Sequence, residues 1–269
     1  MSALWASFAL TPTLAAGVAV VDFGVAVAVG LLVGVLLRRL AFLRRWWVEL
    51  PLIFGLSFFG GNVLALAGGL VLGAFAGFPH LDPASPSLVV ASLLAVSAAN
   101  LALVVAIGMA GSLQPGGRPA ARWWGLAPVL AAACLAVSFV WGAALDAVGV
   151  TPEPQWVVQA LLDAPTWVSV GVALFVAGWA PVVEELVFRG WLQPRLREPF
   201  GPRLAILAQA AVFAAMHLDR LWAIPPLFVI GAVAGWLRQR SESVAPGVVL
   251  HFCNNAASLA ITVWFAARG

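Results

Sequence analysis

Residues 179–192 read WAPVVEELVFRGWL, placing Glu184, Glu185 and Arg189 within six residues of one otherwise apolar segment. What such a segment is depends on its solvent, and composition decides that. Apolar residues make up 63% of the chain and charged residues only 9%, against roughly 25% charged in an ordinary soluble domain. Too few charges remain to cover a water-facing surface, so the expected solvent is lipid. At about 20 apolar residues per crossing helix, the 269 residues leave room for eight spans and no separate soluble domain.

Working outward, apolar stretches lie at about 10–37, 47–78, 87–111, 123–149, 166–192, 203–218, 221–237 and 244–267. Short connectors with Pro and Gly turn chemistry join them, among them QPGGRP at 114–119 and EPFGPR at 198–203. The expected fold is all-α, a polytopic integral membrane helix bundle with about eight transmembrane helices. Helices 1–4 occupy residues 1–150 and helices 5–8 occupy 151–269, as one integral membrane unit.

The chain has 14 arginines and no lysine, and the arginines mark segment ends. One crossing per stretch gathers eleven of them on one face: 38, 39, 44, 45, 118, 122, 195, 197, 203, 238 and 240. Basic residues favour the cytoplasmic side, so both termini are expected outside the cytoplasm. Scattered arginines record topology and give no basic patch for nucleic acid. Cys134 and Cys253 lie inside apolar runs without metal or disulfide spacing and read as packing residues. Abundant Ala, Gly, Arg and Trp fit a GC-rich bacterial coding sequence, hence a bacterial inner (plasma) membrane.

Ionisable side chains inside a span cost about 2.5–3.5 kcal/mol each on insertion scales, which makes them functional candidates. Glu185 and Arg189 are four residues apart and can pair on one helix face. Glu184 is rotated about 100° from Glu185 and is left as a free carboxylate. His217 lies in the sixth stretch, in FAAMHL, while His251 and Asn255 share a face of the eighth at i, i+4. At 1.5 Å rise per residue, Glu184, His217 and His251 lie about 16, 21 and 17 Å from the nearest inner arginines. Polar faces at one depth are stable in a membrane when they line a common cavity.

Two chemistries suit such a cavity. A carboxylate beside a histidine can activate water as a general base, with a second histidine and an amide stabilising an oxyanion. Alternatively Glu184, His217 and His251 could hold a divalent metal such as zinc with an open position for water. The residues alone leave both open. As plain packing, Glu185–Arg189 would be a structural ion pair, the other polar groups an interhelical network, and Phe213 core.

The order Glu184-Glu185-xxx-Arg189, Phe213-xxx-His217, His251-xxx-Asn255, each in its own apolar segment, resembles the CAAX-protease and bacteriocin-processing (Abi) family of membrane proteases. The resemblance covers roughly residues 165–267. It implies that Glu184 and His217 activate water, that His251 and Asn255 stabilise the tetrahedral oxyanion, and that Glu185 and Arg189 organise the site. Members are labelled metalloproteases, yet a glutamate-dependent mechanism is argued for relatives, and the expectation here is that no cofactor is required. The implied function is intramembrane endopeptidase action on a membrane-associated protein or peptide. A proton- or cation-coupled transporter, or a non-catalytic membrane scaffold, would use the same buried groups differently.

Overall fold

A computed structural model describes residues 86–150 and 166–266, with isolated positions at 31, 33, 35, 38, 39 and 268. The first two expected spans therefore lie outside the described residues, apart from those five helical positions. The rest is helical: α1 Pro86–Met109, α2 Ala121–Ala147, α3 Thr166–Leu174, α4 Ala180–Val187, α5 Gln193–Ala215, α6 Ile224–Ser241 and α7 Ala245–Ala266. Among the described residues the only β pairing is an isolated bridge, Gly116 with Ser243.

Four helical stretches among the described residues are long and apolar enough to cross a membrane: Ala121–Ala147, Thr166–Ala215, Leu221–Ser241 and Ala245–Ala266. The second is 50 residues long, about 75 Å if straight and more than twice a hydrocarbon core. It is broken at Gly201, whose φ of 75° and ψ of 171° suit only glycine. Pro199 and Pro202 flank that corner. The expected stretches 166–192 and 203–218 are its two arms.

The chain divides into two compact units, one of residues 1–112 with 156–175 and one of 113–155 with 176–269. In the second unit α2 packs with α6 and α7. In the first unit α1 packs on α3. In the second, α2 contributes Trp123, Ala127, Ala131 and Cys134, one stripe along a single face, to a core shared with Ile230 and Leu237 of α6 and Leu250 of α7. The opposite face of α2 exposes Val129, Phe139 and Val140. In water such a face would be a liability; against acyl chains it is the solvated surface, and the protein is an integral membrane protein.

Two prolines shape the helix that carries the glutamates. Pro181 has no N–H to give to the carbonyls four and five residues back, Ala177 and Val176. The turn before it, Phe175–Trp179, is π-helical. Pro194 likewise cannot serve the Gly190 carbonyl, and Phe188–Leu192 is again π-helical. Each freed carbonyl finds a donor elsewhere in the second unit. The Asn255 side-chain amide donates to Val176 O at 2.9 Å, and the Gln114 backbone N–H donates to Gly190 O at 2.7 Å. Proline placement therefore fixes both where α7 docks and where the QPGGRP connector crosses.

Candidate active site

Glu185 and Arg189 form the i, i+4 ion pair that their spacing allows, with Arg189 Nη1 donating to Glu185 Oε1 at 2.8 Å and both side chains fully buried. Arg189 Nη2 donates to Gly231 O at 3.0 Å. Gln209 Nε2 donates to the same carbonyl at 2.8 Å, and Gln193 Nε2 to Gly235 O at 2.9 Å. Gly231 and Gly235 are a GxxxG pair on α6, which lets neighbouring backbone approach closely. A Cβ at Gly235 would lie 2.5 Å from Gln209 Nε2, so the glycine keeps the Gly231 carbonyl open. The buried guanidinium is thus compensated by a carboxylate and a helix backbone at once.

His251 stands against both glutamates. Its Nδ1 is 3.4 Å from Glu185 Oε1 and its Nε2 is 3.7 Å from Glu184 Oε2. The first contact lies outside hydrogen-bonding angles, leaving Nδ1 without a hydrogen bond; it is an electrostatic contact. Glu185 Oε2 is also without a hydrogen bond, and it rests where Gly247 of α7 has no side chain. A Cβ there would collide with that carboxylate oxygen. Glu184 is the carboxylate left over, with 26% of its side chain exposed.

His217 sits one residue past the Met216 cap of α5, with φ −114° and ψ 34°, so it belongs to a turn and not to the span itself. Its Nδ1 lies 3.0 Å from the Phe213 carbonyl. No ion pair joins it to Glu184; the imidazole nearest Glu184 is that of His251. Phe213, fully buried, connects the groups. Its ring centroid is 5.3 Å from that of His217, 5.8 Å from His251 and 5.1 Å from Phe188, and the Arg189 guanidinium lies 4.9 Å from it. Asn255 is engaged on Val176, and its Oδ1 lies 3.4 Å from the amide of the buried Asn254.

These contacts bring the EExxxR helix, the end of α5 and one face of α7 around a single aromatic ring. Residues 165–257 match the Rce1-like family of type II CAAX prenyl endopeptidases. All six candidate residues, Glu184, Glu185, Arg189, His217, His251 and Asn255, fall within the matched residues. No curated protein and no solved structure matched the chain.

Among the described residues, no group of three or more His, Cys, Asp and Glu side chains is placed to hold an ion. His217 Nδ1 is held at the Phe213 carbonyl, which leaves Nε2 as its open nitrogen, and Glu184 and His251 face each other. Gln193, Gln209, Gly231, Gly235 and Gly247 were not singled out from sequence. Their signal was present: Gln193 continues the Glu185–Arg189 spacing by four more residues, and GAVAG at 231–235 is a small-xxx-small pattern.

Proposed function

We propose that the chain is an intramembrane endopeptidase that hydrolyses a peptide bond of a membrane-associated protein or peptide, using water activated by Glu184. The observation that carries this reading is the division of labour between adjacent carboxylates. Glu185 is engaged by Arg189, whereas Glu184 has no arginine partner, is partly open and lies 3.7 Å from the His251 imidazole, so that both groups can contact one water from the open side of the carboxylate.

Glu184 takes a proton from that water as its oxygen attacks the scissile carbonyl carbon. His217, held against Phe213 beside His251, orients the water. The carbonyl oxygen becomes an oxyanion, and donors supplied by His251 Nε2 and the second N–H of Asn255 stabilise it. Glu184 then returns its proton to the departing amine nitrogen as the C–N bond breaks. No step passes through a metal. Eight spans with the catalytic groups near mid-membrane complete this reading.

The test is hydrolysis of a membrane-associated peptide by purified protein in lipid. Glu184→Gln and His217→Ala should each lower turnover by roughly 10²- to 10⁴-fold, the range for losing a general base or its partner, with helicity and melting retained. Full activity in one folded variant removes that residue from the mechanism, and full activity in both, or no hydrolysis by the wild-type protein, defeats this reading of the site. Activity should survive exhaustive chelation; loss restored by zinc would defeat the metal-free mechanism.

A further inference from the structure

A second polar feature lies at the arginine-bearing end of the same unit, away from the glutamate pair. A cleft of about 360 Å³ opens there between the QPGGRP connector, the start of α5 and the end of α6, lined by Gln114, Gln193, Arg197, Glu198, Arg238 and Gln239. Arg238 Nη2 donates to the Gln114 carbonyl at 2.9 Å, while its buried Nε has no hydrogen-bond partner. Gln193 is 97% buried, and its Oε1 is equally unpartnered.

Arg197 and Arg238 are near enough for their like charges to repel, and Glu242 is the nearest carboxylate attracting Arg238. Yet neither arginine forms an ion pair, with Glu198, Glu242 or any other described carboxylate. Glu242 attracts Arg238 without direct contact and Glu198 lines the cleft, so no carboxylate closes either guanidinium fork, and two open forks are the preferred receptor for a phosphate. The cleft lies where the span Leu221–Ser241 ends, the depth of lipid headgroups, and basic pockets between membrane helices at that depth take anionic headgroups.

We propose that this cleft binds the phosphate of an anionic phospholipid headgroup, with Arg197 and Arg238 as its ligands and Gln114 and Gln239 on its rim. The site is separate from the proposed hydrolysis and does not depend on it.

Native mass spectrometry of the full chain, equilibrated with equal phosphatidylglycerol and phosphatidylcholine, tests it. One phosphatidylglycerol should be retained in preference by roughly thirtyfold, the order that two basic side chains supply at a membrane surface. Arg197→Gln and Arg238→Gln should each abolish the preference, and Arg203→Gln, an exposed arginine outside the cleft, should leave it intact. If Arg238→Gln fails to fold because its link to Gln114 is lost, Arg197→Gln carries the test. An equal loss in all three variants would mean diffuse attraction and overturn the site, as would a preference untouched by Arg197→Gln. Displacement of the lipid by inorganic phosphate would overturn the lipid assignment and leave free phosphate as the ligand.

Discussion

Arg189 illustrates how one residue's neighbours determine the cost of its removal. Its guanidinium holds Glu185, donates to the Gly231 carbonyl and lies against the Phe213 ring. Arg189→Ala would strand a fully buried carboxylate, a loss on the order of 3–5 kcal/mol. Changing both partners together, Glu185→Leu with Arg189→Met, should restore most of that stability, since a buried ion pair and an apolar pair of similar volume are nearly equivalent. Activity should not return, because His251 Nδ1 would lose the carboxylate that faces it. Thermal melting in lipid beside turnover checks both halves. Gly247→Ala reaches the same carboxylate from the other side, since its methyl group would displace Glu185. It should lower turnover about tenfold or more, as misplacing catalytic geometry does, while costing about 1–3 kcal/mol for overpacking. Wild-type turnover in that variant would show that Glu185 does not orient His251.

At the scale of elements, the sequence displayed the periodic features and hid those made by contact between helices. The i, i+4 spacing of Glu185 with Arg189 foretold their ion pair because a helix sets that geometry alone. The partner of Glu184 was not legible, because His217 leaves its helix one residue after the cap and no periodicity reports such an exit. Nor was the hydrogen bond of Asn255 to Val176, although its cause, Pro181, was in plain view. That cause allows the two roles of Asn255 to be separated. Asn255→Ala should destabilise the protein by about 1–3 kcal/mol, the cost of an unsatisfied buried acceptor, and lower turnover by about 10²-fold or more through loss of an oxyanion donor. Pro181→Ala supplies a backbone N–H to that stretch, so the double variant should regain stability relative to Asn255→Ala alone and regain no activity. A double-mutant cycle in melting and in turnover measures this; recovery of both together would make Asn255 purely structural.

For the whole molecule, the arginines connect composition to placement. The connector 112–120, the corner around Gly201, the end of α6 and the start of α7 meet through Gln114 with Gly190, Val244 with Pro115, and Arg238 with Gln114. These contacts set Arg118, Arg122, Arg195, Arg197, Arg203, Arg238 and Arg240 at one end of the second unit. The far end of α2 is tied instead to the turn after His217, where Trp141 Nε1 donates to Trp222 O at 2.6 Å. Composition alone predicted that asymmetry because charge at a membrane surface is selected by topology, independently of any side-chain contact. By that rule the seven arginines are expected on the cytoplasmic side, and α7, which starts among them, is expected to end toward the opposite face. A reporter fused after Gly269 that is enzymatically active only outside the cytoplasm should therefore be active, and a fluorescent protein that matures only inside should be dark. Replacing Arg238 and Arg240 together by Gln should leave this orientation unchanged, since five arginines still mark the same end. A dark external reporter with a bright internal one would invert the topology and place the arginine-bearing cleft outside the cell.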